Sequence, residues 1–440
     1  MDSEQVSFQP TGDGGQTRIP TLKVKDDNGN TMEVNTNEGK AKYLAKAFFP
    51  PKPTTSSVPQ DYNPLTPLPA PPQVTEKQIC YHIMKTSPYK APEPDKIPNI
   101  MLQKTANLIV PYLLPIYRSI IGHRIYYQDW QESTTCVLWK PRKPSYEVPK
   151  AYCPIALLCT MAKVLTSIVS KNLISIAEQQ QLLPDVDFGG RPCRSTTDAV
   201  HLLIHQVKEA WRKGKVVSIL FLDIEGAFPN AVTDQLLHNM KKRKVPTQTV
   251  KLIERLLKGR MTCLKFDDYM SALIPIDNGV GQGDPVSLPS FNFYNADLLE
   301  LTNALQALGY VDDMMVMAIR KDFEETTQAI HNHMEGENGG FKWSADHNSR
   351  FEISKLVVMH LGQKKTRSPT GTPQPMRKPK LTLQGKEVNS VDRFKYLGIV
   401  IDDKLTWRRH EEKVIENTTK WVLQCRCLAK INTGLSPNHM

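Results

Sequence analysis

Residues 310–313 read Tyr-Val-Asp-Asp, with Leu305 and Leu308 on one side and the unbroken run Met314, Met315, Val316, Met317 and Ala318 on the other. Short apolar runs of this kind read as strands of a buried sheet. Two adjacent carboxylates cannot be taken into the same core without a large desolvation cost, so the pair is expected at the tip of a β-hairpin where the strands reach solvent. Carboxylates held side by side at such a tip are also a place to bind divalent cations.

A second run, Val216-Val217-Ser218-Ile219-Leu220-Phe221-Leu222, has the pattern of a fully buried strand and ends on Asp223. Before it, Val200, Leu203, Ile204, Val207 and Trp211 recur at helical spacing after Ser195 and Thr196, and Gly214 stops the helix. After it, Gly226 offers a turn and Thr233 opens a helix carrying Leu236, Leu237 and Met240. Another helix follows Pro246, carries Val250, Ile253, Leu256 and Leu257, and ends at Gly259. Sheet elements mixed with helices in this way predict an α+β fold. Residues 1–75 read as a disordered, Pro-rich linker, since the first forty lack periodicity and residues 50–72 hold nine prolines.

The chain has 440 residues, 40% of them hydrophobic, which is enough for a sizeable core. Its 56 Lys and Arg against 45 Asp and Glu give a formal charge of +11, favouring a polyanionic partner. The N-terminus lacks the basic and apolar halves of a signal peptide, and no apolar run is long enough to span a bilayer, so an intracellular protein with no membrane partner is expected. Eight cysteines are scattered without Cys-x-x-Cys spacing and read as reduced thiols. The oligomeric state is left open.

Three carboxylates on two strands fit phosphoryl transfer assisted by two metal ions roughly 3.5 to 4 Å apart. Asp223 and Asp312 are the primary candidates and Asp313 the third. Phe228, five residues after Asp223, can pack on the sugar of an incoming nucleotide and exclude a 2′-hydroxyl. The segment Gly279-Val280-Gly281-Gln282-Gly283-Asp284-Pro285 is a Gly-rich loop whose backbone can approach a ligand closely, with Gln282 able to hydrogen-bond a base or sugar.

Taken in order, Asp223-x-x-x-x-Phe228, the 279–285 loop and Tyr310-Val-Asp-Asp313 resemble motifs A, B and C of reverse transcriptases. The chain is identified as similar to those of non-LTR (LINE-type, jockey-like) retrotransposons, of fungal type. Lys90-Ala-Pro-Glu-Pro-Asp95, Tyr152-Cys-Pro-Ile-Ala-Leu-Leu158, Phe188-Gly-Gly-Arg-Pro-Cys-Arg-Ser-Thr-Thr-Asp198, Phe351-Glu-Ile-Ser-Lys355 and Phe394-Lys-Tyr-Leu-Gly398 extend the resemblance from about residue 76 to the C-terminus. It implies a right-hand polymerase fold with fingers at 76–205, palm at 206–390, and primer grip with a partial thumb at 391–440. It further implies two Mg²⁺ ions, with Mn²⁺ able to substitute, on Asp223, Asp312 and Asp313. The partners it implies are an RNA template, a DNA primer and deoxynucleoside triphosphates, with action in the nucleus during integration. Lys355 would protonate departing pyrophosphate, Gly283 would share the nucleotide site with Gln282, and Lys140 and Lys143 would lie near the triphosphate.

Some positions depart from the pattern. Cys153 stands where the family has an arginine that clamps the triphosphate, and a thiol cannot replace a bidentate guanidinium. Glu93 and Lys96 occupy glycine positions, which adds strain wherever the backbone needs φ > 0. These changes raise the alternative of a catalytically degenerate, nucleic-acid-binding remnant. The pair His201 and His205 lacks the glutamate and third ligand of a zinc site and is assigned no metal.

Overall fold

The computed structural model describes residues 18–25, 29–90, 95–141, 143–301, 305–363, 365–367 and 373–428. Its elements form two compact units, one from residues 1–182 with 226–294 and the other from 183–225 with 295–440. Helix and sheet are mixed in both, as an α+β class requires. Among the described residues no helix is long and apolar enough to cross a membrane.

The first unit is organised on a sheet ordered Tyr152–Leu158, Glu132–Trp139, Arg260–Phe266 and Tyr269–Met270, with Ile274–Ile276 also paired to Arg260–Phe266. Glu132–Trp139 runs antiparallel to Tyr152–Leu158 and parallel to Arg260–Phe266. The helix Glu76–Met84 begins with a capping box between Thr75 and Gln78, and it buries Ile79, His82 and Ile83. The helix Ser287–Leu299 contains Pro289 in its first turn, where a missing amide proton breaks no intrahelical bond.

Residues 18–25 and 29–49 are not the linker that their composition suggests. Leu22–Lys25 and Thr31–Val34 pair as a hairpin, and the helix Asn37–Phe48 follows, capped by Thr36. Ile19, Leu22, Val24, Val34, Leu44 and Phe48 are buried in one cluster with Val137, Tyr152, Leu264 and Phe266. The alternation of Leu22 and Val24 and the helical spacing of Ala41, Leu44 and Phe48 were present in the sequence, hidden among Gly, Asn and Asp. Residues 50–72 contain neither helix nor strand, as their prolines dictate.

The second unit is built on a five-stranded sheet ordered Asn389–Ser390, Val357–Leu361, Val216–Leu222, Asp313–Arg320 and Gln306–Tyr310. Every residue of Val216–Leu222 is buried, because the sheet is covered on both faces. On one face Val217, Ile219, Phe221, Met315, Met317 and Met359 pack with Val200, Leu203 and Val207 of the helix Thr196–Arg212. On the other, Ser218 meets Thr326 of the helix Phe323–Glu335 at 2.6 Å and His360 Nδ1 at 2.7 Å. A separate hairpin, Arg393–Tyr396 with Ile399–Asp402, turns through Leu397 and Gly398, both at positive φ as a type I′ turn needs. It docks by stacking Phe394 on Phe221, with ring centroids 4.2 Å apart.

Candidate active site

Asp313–Arg320 runs antiparallel to both Gln306–Tyr310 and Val216–Leu222. The register pairs Asp313 with Tyr310 and Met314 with Leu222, so Val311 and Asp312 form the two-residue turn and the next position opposite Asp313 is Asp223. The three carboxylates expected from the sequence thus gather at one end of the central strands. The turn is held tightly. Val311 sits at φ 61°, a left-handed conformation rare for a β-branched residue. Phe188 N donates to Gly309 O at 2.8 Å, Gly309 N donates to Val186 O at 3.0 Å, and Asn295 Nδ2 donates to Val311 O at 3.2 Å. Gly189 lies so close that a Cβ there would overlap the Val311 amide nitrogen.

Beyond the strand end, Asp223 O accepts from Glu352 N at 3.2 Å and Glu225 N donates to Arg350 O at 2.9 Å. These bonds bring the single helical turn Ile353–Lys355 beside the carboxylates. Lys355 Nζ lies 3.2 Å from Asp223 Oδ2 and also pairs with Glu352. Burial lowers the affinity of the ammonium for its proton, but the hydrogen bonds and charges of Glu352 and Asp223 together leave its pKa above the ordinary lysine value.

Asp312 and Asp313 both have pKa values raised from the carboxylate norm. Desolvation is the largest cause in each; Asp223 repels both, and Asp312 also repels Asp313. Among the described residues no group of three or more His, Cys, Asp and Glu is arranged to hold a metal ion. In chemical type the donors nevertheless suit a hard divalent cation: three carboxylates at the strand ends and the turn, mutually repelling, with charge that one lysine only partly offsets.

The expected nucleotide-contacting residues lie in the other unit and assemble locally. Phe228 belongs to the short helix Ala227–Asn230 and stacks on Phe291 at 4.7 Å, with 14° between the planes. Its carbonyl accepts from Val280 N at 2.9 Å, which ties it to the Gly-rich loop. Gly279, at φ 78°, passes so close to Pro229 that a Cβ would meet the Pro229 carbonyl oxygen at 2.5 Å. Gln282 O accepts from Ala156 N at 2.8 Å, and Gly283, at φ 124°, lies against the Ala156 carbonyl. The loop is therefore moulded onto the strand that carries Cys153.

Arg260 is the residue that sequence reasoning missed. Its guanidinium donates to Asn278 O at 3.0 Å, Gly279 O at 2.7 Å and Leu257 O at 3.1 Å, bracing the loop from beneath. Burial pushes its pKa down to about 10, against the opposing charges of Asp284 and Asp277. Only its place just after the helix-ending Gly259 could have pointed to it.

Lys140 and Lys143 fall in the loop between Glu132–Trp139 and Tyr152–Leu158. Lys140 Nζ donates to Lys150 O at 3.1 Å, and the loop folds around Tyr146, whose hydroxyl donates to Lys140 O at 2.8 Å. No hydrogen bond joins these lysines to Phe228 or Gln282 among the described residues. Cys153 is half-buried opposite Leu138. Lys96 does adopt a left-handed backbone, φ 56°, which costs a non-glycine residue about 1 kcal/mol. The turn is held by Asp95, which accepts from Ile97 N at 3.0 Å and from Cys159 Sγ at 2.9 Å. Glu93 lies outside the described residues.

Residues 141–401 match the family model described as reverse transcriptase (RNA-dependent DNA polymerase). The RNA-directed DNA polymerase from mobile element jockey of Drosophila funebris is 26% identical over 387 residues, covering 86% of this chain and 40% of that protein. Its counterpart in Drosophila melanogaster is 24% identical over 344 residues, covering 77% of this chain and 36% of the relative. The probable RNA-directed DNA polymerase from transposon BS of the same species is 24% identical over 347 residues, covering 77% and 37%. The chain thus spans about two fifths of the length of these relatives. The family model covers more than half of the chain, including both carboxylate-bearing strands and the Gly-rich loop, and the chain belongs to the reverse transcriptase family.

Proposed function

We propose that this chain is the RNA-directed DNA polymerase domain of a non-LTR retrotransposon, extending a DNA primer on an RNA template with deoxynucleoside triphosphates. The observation that carries the reading is the register that sets Asp313 opposite the end of the Asp223 strand, with Asp312 in the intervening turn. In this reading fingers run over 76–205, palm over 206–390, and primer grip with part of a thumb over 391–440. Asp223, Asp312 and Asp313 hold two divalent ions, Mg²⁺ in the cell and Mn²⁺ as a substitute. When bound, such ions lower the pKa of the primer 3′-hydroxyl and neutralise charge on the leaving pyrophosphate.

The remaining steps belong to the protein. Lys355, protonated beside Asp223, is positioned to hand a proton to the departing pyrophosphate. Phe228, whose ring stacks on Phe291, is the residue that would exclude a 2′-hydroxyl from the incoming sugar. Gln282 and Gly283 present amide and backbone to the nucleotide, and Lys140 and Lys143 supply positive charge for its phosphates. The test is primer extension with poly(rA), oligo(dT), labelled dTTP and Mg²⁺ or Mn²⁺. Incorporation is expected, and Asp312→Asn should abolish it.

Cys153 favours one second reading, a remnant that binds nucleic acid without polymerising. Retained template binding with no incorporation at any protein concentration, in either metal, would establish it.

A further inference from the structure

A groove of about 790 Å³ lies in the first unit between the Pro-rich stretch Leu68–Pro72 and the helices Glu76–Met84 and Thr160–Gln179. Tyr81 stands in it, 46% exposed. Lys171 Nζ lies over its ring at 4.6 Å from the centroid and Lys85 Nζ at 5.4 Å, and Lys85 also donates to the phenol oxygen at 3.2 Å. Lys77 and Lys171 line the groove, Lys85 reaches its edge through Tyr81, and no carboxylate is among the lining residues. Among the described residues none of these three lysines has a carboxylate within ion-pair distance, so two of them settle on the one electron-rich ring at hand. The hydrogen bond from Lys85 and the charge of Lys171 hold the Tyr81 phenol below its ordinary pKa. The rest of the lining includes the amides Asn172 and Gln179, the ring of His82 and an apolar wall of prolines.

We propose that this groove binds a single nucleic acid strand, with Lys77, Lys85 and Lys171 on its phosphates and Tyr81 stacking on a base. The chemistry favours a strand over an acidic peptide. Carboxylates would use the ammoniums and leave the exposed ring and the amides without a role, whereas a strand offers phosphates, base faces and base edges together. Once phosphates draw the lysines away, the face of Tyr81 is open for stacking. The inference does not depend on the carboxylate site being catalytic.

The experiment measures binding of fluorescein-labelled oligo(rU) and oligo(dT) to the full chain across a salt series, with EDTA and no nucleotide. It is paired with 4-thiouridine or 4-thiothymidine crosslinking and peptide mapping. Crosslinks to peptides spanning 76–85 or 171–180 are expected, and the two oligomers distinguish an RNA from a DNA strand. Tyr81→Ala should weaken binding about tenfold through lost stacking. Lys85→Gln with Lys171→Gln should reduce the slope of log K against log salt by roughly 1.4, two phosphate contacts at about 0.7 each. These side chains are exposed, and circular dichroism checks that the variants remain folded. Asp312→Asn should leave the crosslink unchanged, which separates this site from the polymerase reading. Crosslinks confined to the second unit, unchanged affinity and slope in the variants, or equal displacement by polyglutamate would each overturn the proposal.

Discussion

Lys355 Nζ sits 3.2 Å from Asp223 Oδ2, so a side chain of the protein itself partly neutralises that carboxylate. Half-exposed pairs of this kind contribute little to stability. The pair does, however, set lysine and metal in competition for one carboxylate. Lys355→Leu is therefore expected to lower the Mg²⁺ concentration giving half-maximal primer extension while reducing the maximal rate about tenfold or more through loss of the proton donor. Metal titrations of the two proteins check this. An unchanged half-saturation point would mean that the ion pair does not oppose metal binding.

Gly189 supports the turn bearing Asp312 by having no side chain. A Cβ there would overlap the Val311 amide nitrogen and lie 2.6 Å from Val311 Cγ2, and backbone cannot move aside as a flexible side-chain tip can. Gly189→Ala is expected to cost roughly 2 to 4 kcal/mol and to displace Asp312, eliminating synthesis even in the fraction that stays folded. Urea denaturation gives the first quantity and primer extension under native conditions gives the second. A variant of wild-type stability would show that the Phe188–Gly189 segment does not clamp the hairpin.

The elements legible in the sequence were those set by local pattern. The run Val216–Leu222 could only be a covered strand, Tyr310 to Ala318 could only turn at its carboxylates, and Ser195 marks the start of the helix Thr196–Arg212 before them. What stayed hidden depends on contacts between distant segments. Phe188 and Gly189 belonged to a recognised motif, but nothing local says that they press on a hairpin more than a hundred residues later. Arg260 reads as an ordinary strand residue until the Asn278 and Gly279 carbonyls fold over it. The N-terminal hairpin and helix were lost for another reason. Their few apolar residues are diluted by polar ones, and they fold because Val137, Leu264 and Phe266 offer a surface to cover.

Cys153 tests how much of the nucleotide site has eroded. It is half-buried on the strand whose Ala156 anchors Gln282 and Gly283, so a longer side chain there starts from a fixed backbone. Cys153→Arg is expected to lower the KM for dTTP about tenfold or more, in line with one charge-assisted phosphate contact, with a smaller effect on kcat. Steady-state extension at varied dTTP measures both. A KM that does not move would assign the triphosphate to other cations, with Lys140 and Lys143 the first to examine.

His360 makes the stability of the second unit depend on pH. It is buried with Nδ1 on Ser218 Oγ, beside Phe323, and desolvation followed by the nearby Lys378 lowers its pKa from 6.5 to about 4, against the Pro379 backbone and the charge of Asp392. A histidine whose folded pKa is depressed binds its proton more readily in the unfolded chain. Stability is therefore full above pH 6.5 and falls as the pH drops toward 4. At pH 5 the loss is about 2 kcal/mol for this group. His82 in the first unit, hydrogen-bonded to Ser167 and also lowered to about 4, shifts stability in the same direction. The raised carboxylates Asp312 and Asp313 act in the opposite sense, so the measurement has to isolate the histidine. Denaturation at pH 7 and pH 5 should show a smaller difference between the two conditions for His360→Gln than for the unmodified protein. An identical difference would mean that His360 is already protonated in the folded state, with Ser218 and Lys378 rearranged around it.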